Sequence, residues 1–233
     1  MATYVLVHGM WHGGWCWKKV RPLLQAAGHE VLTPTLTGCG ERSHLRDVRI
    51  DFNTHVRDVL QVLEFEDLRE VVLCGHSYGV AVVAAAAGKA ADRLKHLVCL
   101  DGPLPQDGRS FRELFPQVYA HLWNDATFAG HEDWVPVPDD RTFGVVDAAD
   151  WRWVQPRLTP FPLTTWETPI EVTLPATLAC TTIECIGPLT PGGTNSAGEE
   201  WLERGWRYHS LSTGHDAMVT APSELADLLL ELA

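Results

Sequence analysis

The segment Gly75-His76-Ser77-Tyr78-Gly79 constrains the fold of this chain more than any other. A serine with glycines two positions before and after it is typical of a tight turn that leads from a strand into a helix. Residues 70–74 form an apolar, β-branched run that predicts the strand, and residues 80–87 form an alanine-rich run that predicts the helix. Because backbone segments approach closely in such a turn, a Cβ at either glycine would collide. Ser77 is therefore the candidate nucleophile.

Strands and helices alternate along most of the chain. Apolar runs predict strands at residues 4–7, 30–33, 70–74, 95–100, 181–186 and 208–211, and amphipathic or alanine-rich runs predict helices at residues 15–27, 55–65, 80–87, 197–204 and 222–232. This order predicts an α/β fold with a doubly wound, mainly parallel sheet that helices cover on both faces.

Between residues 103 and 169 the pattern changes. The apolar runs shorten, prolines accumulate and five tryptophans appear. We therefore expect a cap, defined as residues 103–169, to be inserted into a core formed by residues 1–102 and 170–233.

Composition narrows the classes of partner. The 233 residues, 45% of them hydrophobic, suffice for one full core. Thirty acidic against eighteen basic side chains give a net charge of −12, which disfavours nucleic acid and anionic membranes as partners. The amino terminus lacks the features of a signal peptide and no stretch is long and apolar enough to span a membrane, so a cytoplasmic location is expected.

Cysteine and glycine spacing argue against bound cofactors. The six cysteines lack zinc-ligand spacing and are expected to be buried free thiols, so no metal is predicted. The glycines after the first strand lack G-x-G-x-x-G spacing, which excludes a dinucleotide site of that type. The expected partner is a small-molecule substrate without a cofactor, and a homodimer is left open.

His215 is the candidate base among eleven histidines. A serine hydroxyl is a poor nucleophile at neutral pH and needs a base that accepts its proton. His215 lies in the loop after the last predicted strand, where the order serine, acid, histidine places the base.

The acid that would orient this histidine is ambiguous. Asp101 ends the strand after the nucleophile's helix, whereas Glu184 lies inside the strand at 181–186, and residues 186–192 supply no carboxylate. We favour Asp101, because a short carboxylate at a strand end needs less distortion than one in the middle of a strand. Glu184 stays the alternative acid.

Two backbone N–H groups are expected to stabilise the oxyanion that forms during attack on a carbonyl. The Tyr78 N–H is one candidate, and the Met10 N–H in the loop after the first strand is the other. The side chains expected to contact substrate are Trp11, His12, Trp123 and Trp134.

Five segments carry a resemblance to a known family. They are residues 5–17, 34–45, 75–79, 100–105 and 213–218. They resemble α/β-hydrolases of the hydroxynitrile lyase and plant methylesterase branch, and bacterial esterases of the pyrethroid-hydrolase type look closer still. The resemblance implies that Ser77 and His215 are nucleophile and base, and that Met10 and Tyr78 are the oxyanion donors.

Three departures from the family pattern refine this expectation. Hydroxynitrile lyases of this branch have a threonine in place of Gly9 and a lysine in place of Asp216, so hydrolysis is favoured over cyanide release. Gly187 stands where relatives often place the acid. The expected function is hydrolysis of an apolar or aromatic carboxylic ester through an acyl-serine intermediate. The alternatives are a lactonase or a polyketide-like cyclase using the same pocket, and a small-molecule receptor without catalysis.

Overall fold

A six-stranded parallel sheet forms the centre of the computed structural model, which describes residues 1–128, 133–138, 143–187 and 202–233. Its strands are β1 (Thr3–Val7), β2 (Glu30–Leu32), β3 (Val71–His76), β4 (Leu94–Leu100), β7 (Ala179–Cys185) and β8 (Arg207–Leu211), and a separate antiparallel pair consists of β5 (Trp134–Val135) and β6 (Phe161–Pro162). The strand order is β2-β1-β3-β4-β7-β8, and every neighbouring pair is parallel. The predicted parallel sheet is therefore confirmed.

Helices cover both faces of this sheet. The helices of the chain include α1 (Arg21–Ala26), α2 (Phe52–Phe65), α3 (Tyr78–Lys89), α4 (Phe111–Leu114), α5 (Pro116–Phe128), α6 (Ala148–Val154), α7 (Ala217–Thr220) and α8 (Pro222–Leu230). Helices α2 and α3 cover one face of the sheet and α1 and α8 the other, whereas α4, α5 and α6 lie in the predicted cap. Side chains of β1 alternate between two cores: Val5 and Val7 pack with α2 and α3, whereas Tyr4 and Leu6 pack with α1 and α8. Burial on both faces explains why the strands are nearly continuous apolar runs.

Two helices have different bounds in the structure from those predicted from the sequence. The prediction of one helix over residues 15–27 is wrong, because the chain forms a 3₁₀ turn at Gly14–Lys18 and starts α1 only at Arg21. Pro22 lacks an N–H group and fits only the first turn of a helix. Helix α2 begins three residues earlier than predicted, because Asp51 accepts a hydrogen bond from the Thr54 N–H at 2.7 Å in a capping box. The predicted helix at residues 197–204 lies largely outside the described residues.

The predicted cap packs over the serine turn. Its described residues hold α4, α5, α6 and the β5–β6 pair, and they add no strand to the six-stranded sheet. Phe111 and Phe161 contact the Tyr78 ring, with ring centroids 5.6 and 4.9 Å apart. The boundaries of core and cap stay predictions.

Burial and helix length bear on two further expectations. All six cysteines are buried free thiols, as predicted from their scattered positions. Within the described parts of the chain, no helix combines the length and hydrophobicity that crossing a membrane requires.

Candidate active site

The serine turn lies where the strand order of the sheet reverses. From β1 the chain goes to β2 on one side and to β3 on the other, and such switch points form a crevice at the carboxyl ends of the strands. Ser77 links β3 to α3 with φ of +55°, a strained conformation for a residue with a side chain. A Cβ on Gly75 would lie 2.3 Å from the Gly79 carbonyl oxygen, and one on Gly79 would lie 2.6 Å from the His8 carbonyl oxygen. Both glycines are therefore required by the close approach of backbone segments.

Ser77 lines a small cavity of about 20 Å³. The other residues that line it are Gly9, Met10, Trp11, His12, His76, Phe143 and His215. This volume accommodates about one water molecule. Although Ser77 and His215 share the cavity, their side chains make no direct hydrogen bond within the described structure. Catalytic hydrogen bonds are often long without substrate and shorten in the substrate complex.

The structure brings Asp101 to His215. His215 Nδ1–H donates to Asp101 Oδ2 at 2.5 Å, and the second carboxylate oxygen accepts the Cys185 N–H at 2.9 Å. Asp101 follows β4, the strand beside β3, which explains how its short side chain reaches the site. With Nδ1 held by a carboxylate, Nε2 is the ring nitrogen left to exchange a proton at the cavity.

The alternative acid is engaged elsewhere. Glu184 Oε2 accepts a hydrogen bond of 2.5 Å from the Tyr208 hydroxyl, and this bond, together with burial, raises the pKa of Tyr208 to about 12. Gly187, the position where relatives often carry the acid, has no room for a side chain. A Cβ there would lie 2.4 Å from the Thr213 carbonyl oxygen.

Hydrogen bonds of its side chain hold Tyr78, the first residue of α3, in place. The Tyr78 hydroxyl donates to His55 Nδ1 at 2.9 Å, and His55 Nε2–H donates to the Thr37 carbonyl oxygen at 2.9 Å. Burial lowers the pKa of His55, which fits a neutral ring that accepts on one nitrogen. The Tyr78 N–H belongs to the first turn of α3, where helix N–H groups have no partner within the helix. It can therefore donate to an oxyanion.

The loop after β1 contacts the serine directly. A Cβ on Gly9 would lie only 2.8 Å from Ser77 Cβ, so the backbone that leads to the Met10 N–H passes against the nucleophile. His8 holds this loop, because its Nδ1–H donates to the Gly9 carbonyl oxygen at 2.8 Å while Nε2 accepts the Leu36 N–H at 3.0 Å. Burial lowers the pKa of His8 to about 3, and the ring is neutral at physiological pH.

Three contacts of the site were not predicted from the sequence. His76 lines the cavity, and its Nε2–H donates to the His215 carbonyl oxygen at 3.0 Å. Burial, and then the neighbouring His215 and His12, lower the pKa of His76 well below its usual range. The cavity also includes Phe143, a residue without any motif around it. His12 contacts the buried Asp216 at 3.0 Å, and only the position of Asp216 next to the candidate base could have signalled this contact.

The predicted substrate contacts separate into two groups. Trp11 and His12 line the cavity, whereas Trp123 and Trp134 do not. Trp123 is 39% exposed and stacks on Tyr119, and Trp134 lies under the Arg46 guanidinium. Binding of substrate by these four side chains stays a prediction.

Among the described residues, no group of three or more histidine, cysteine or acidic side chains has an arrangement that could hold a metal ion.

Comparison with known proteins gives consistent matches. Residues 4–228 match the model of the Alpha/beta hydrolase family. The chain is 37% identical over 246 aligned positions to a carbendazim hydrolyzing esterase from Nocardioides sp. (strain SG-4G), covering 100% of both chains. It is 35% identical over 109 positions to Methylesterase 8 of Arabidopsis thaliana, covering 46% of this chain and 40% of that protein.

A solved structure matches along the whole chain. It is an extracellular alpha/beta-hydrolase from a Paenibacillus species, described as sharing structural and functional homology with tobacco salicylic acid binding protein 2. It aligns with a TM-score of 0.85 at 22% identity, covering 100% of this chain and 99% of that chain. At this identity the likeness concerns the fold.

Proposed function

The chain belongs to the Alpha/beta hydrolase family, and we propose that it hydrolyses carboxylic esters of apolar or aromatic small molecules through an acyl-Ser77 intermediate. The family, the fold class and an enzyme of the esterase class, all predicted from the sequence, are confirmed by the matches above. The serine mechanism and the substrate class are the proposal. One observation carries it: the hydrogen bond from His215 to Asp101 at a cavity that Ser77 also lines.

Each half of the reaction uses the same residues. In the first half, His215 Nε2 accepts the Ser77 hydroxyl proton as Oγ attacks the ester carbonyl carbon, and then gives that proton to the departing alcohol. In the second half, water loses a proton to Nε2 and attacks the acyl group, and Ser77 leaves with its proton restored. Asp101 keeps Nδ1 protonated throughout and stabilises the imidazolium that forms in both halves.

The oxyanion is the charge that this site must stabilise. The Tyr78 N–H at the start of α3 and the Met10 N–H after β1 are the proposed donors, and both belong to segments held by buried histidines. The partial positive charge at the amino terminus of the twelve-residue α3 acts in the same direction.

The cavity walls support an apolar or aromatic substrate. The rings of Trp11 and Phe143 contact each other there, with centroids 5.7 Å apart and planes inclined by 60°. A volume of about 20 Å³ holds no ester of that kind, so side chains at the cavity must move when substrate binds. The relative named for carbendazim hydrolysis supports an aromatic substrate for this chain as well.

Two observations favour hydrolysis over cyanide release from a hydroxynitrile. A threonine in place of Gly9 would put its Cβ 2.8 Å from Ser77 Cβ, which the present backbone does not accommodate. Asp216, the position of the lyase lysine, is a buried acidic residue bound to His12. The site therefore lacks both groups that distinguish the lyases.

A serine substitution tests the proposal. Ser77→Ala should lower kcat by at least about 10⁴-fold on a panel of p-nitrophenyl acetate, phenyl acetate, methyl benzoate and carbendazim. Ser223→Ala, which changes an exposed serine in α8, is the matched control and should retain wild-type rates. Undiminished hydrolysis by Ser77→Ala would reject the acyl-enzyme mechanism. If His215→Ala alone abolished turnover, proton-transfer chemistry such as cyclisation would be favoured instead.

A further inference from the structure

A buried histidine and a buried carboxylate join the two loops that carry the proposed site. His12 lies two residues after Met10, and Asp216 directly follows His215. His12 Nδ1–H donates to the Met10 carbonyl oxygen at 2.7 Å, and His12 Nε2 lies 3.0 Å from Asp216 Oδ2. The His12 ring thus connects the loop that contains Met10, a proposed oxyanion donor, with Asp216, the residue next to the proposed base.

Packing fixes the orientation of this ring. Trp15 stacks on the His12 ring, with centroids 5.3 Å apart and planes inclined by 26°, and Phe143 approaches in an edge-on arrangement at 4.9 Å. His12 and Asp216 are 1% and 0% exposed, so no water competes for their contact. The ring therefore has one place and one orientation, and its two nitrogens define the distance between the loops.

The charges of the pair compensate each other. Burial alone would lower the pKa of His12, but the Asp216 carboxylate and the hydrogen bonds to Asp216 and Met10 raise it. An imidazolium donates from both nitrogens, which matches the two oxygen acceptors around it. Removing one member of such a buried pair leaves the other uncompensated, and the surrounding loops must then rearrange.

We propose that His12 is a positioning residue for ester hydrolysis, which holds the Met10 loop at the oxyanion and locks it, through Asp216, against the loop of His215. This role rests on the proposed function. The Met10 N–H interacts with charge that develops only in the transition state, so its misplacement lowers kcat and leaves substrate binding nearly unchanged. A residue that only stabilised the fold would not produce this selectivity.

Two substitutions separate the two contacts of the ring. His12→Gln places an amide near the Nε2 position and keeps a donor to Asp216, but it loses the donor to Met10. His12→Asn places an amide near the Nδ1 position and keeps the donor to Met10, but it releases Asp216. His96→Gln is the matched control, because His96 is also buried, binds Thr181 Oγ1 at 2.8 Å and does not line the cavity.

The measurements are kcat and KM on an aryl ester, and Ki for a trifluoromethyl ketone and for the product acid. His12→Gln should lower kcat by about 10- to 100-fold, part of the loss seen when an oxyanion donor is removed. His12→Asn should lower kcat by about 10-fold, with KM within about twofold of wild type in both variants. Binding of the ketone, which mimics the tetrahedral intermediate, should weaken in proportion to kcat, while the acid should bind as to wild type. His96→Gln should match wild type in all four quantities.

Wild-type kcat and ketone affinity in folded His12→Gln would overturn the positioning role, and so would equal losses in His96→Gln. Folding is checked by thermal melting. Should His12→Gln not fold, His12→Asn decides, because a wild-type kcat there would show that the link to Asp216 is dispensable. Full activity of Ser77→Ala would instead reject the proposed function, so the two failures are distinguishable.

Discussion

Replacing Asp101 by asparagine should abolish most of the activity without disturbing the fold. Asp101 accepts two hydrogen bonds, from His215 Nδ1–H at 2.5 Å and from the Cys185 N–H at 2.9 Å. An asparagine must keep its carbonyl oxygen on the Cys185 N–H, so its NH₂ group faces His215. Nδ1 then has to accept, and the ring proton moves to Nε2, where it prevents His215 from accepting the Ser77 proton. Asparagine tolerates the φ of +45° at this position.

The expected loss follows from the wrong tautomer and the missing charge. In a serine protease triad the same type of substitution lowers kcat about 10⁴-fold, which corresponds to about 5 kcal/mol of transition-state stabilisation. We expect a loss of this order here, because the 2.5 Å contact fixes the tautomer in the same way. KM should change little, since the carboxylate contacts the base and not the substrate.

The assay is steady-state hydrolysis of an aryl ester, with circular dichroism to verify folding. Glu184→Gln is the matched control, because it makes the same chemical change in the other candidate acid, whose partner is the Tyr208 hydroxyl. It should retain kcat within about threefold of wild type. An Asp101→Asn enzyme with more than a tenth of wild-type kcat, or an equal loss in Glu184→Gln, would refute the assignment.

Two further predictions concern the serine turn and the response to pH. Gly9→Ala should fold but lose at least about 100-fold in kcat, because its methyl group would lie 2.8 Å from Ser77 Cβ and displace the nucleophile; wild-type kcat would contradict this. Burial, followed by Arg207 and Lys95, lowers the pKa of His96 from 6.5 to about 4, so below pH 6.5 the unfolded chain takes up a proton that the native state does not. His96 alone should therefore lower the free energy of unfolding between pH 6.5 and 4, by at most about 1 kcal/mol per pH unit after solvent screening, and urea titrations of His96→Gln should show a shallower fall than wild type. Equal slopes would contradict the shifted pKa.

The sheet and the serine turn could be predicted from local sequence because they depend on it. Strands buried on both faces require continuous apolar runs, and the turn at Ser77 requires glycines whatever surrounds it. The start of α2 could also have been found, since Asp51 and Thr54 have the spacing of a capping box. The 3₁₀ turn before α1 could not, because its aromatic and lysine residues are also compatible with an α-helix.

Contacts between residues far apart in the chain could not be predicted from local sequence patterns. His12 and Asp216 are 204 positions apart, and nothing local marks them as partners. The preference for Asp101 over Glu184 came from its position at a strand end, and the strand order, which the sequence pattern did not give, adds that β4 adjoins β3 whereas β7 lies one strand further away. Tryptophan content predicted an aromatic cap but not which rings reach the cavity, since irregular loops determine their direction.

Activation of Ser77 by His215 is tested most directly by labelling with a fluorophosphonate and mapping the adduct by mass spectrometry. The expected result is rapid, stoichiometric modification of Ser77 alone, slowed at least about 10³-fold in folded His215→Ala. An active, folded wild-type protein that is not modified at Ser77, or that is modified equally fast without His215, would contradict the mechanism.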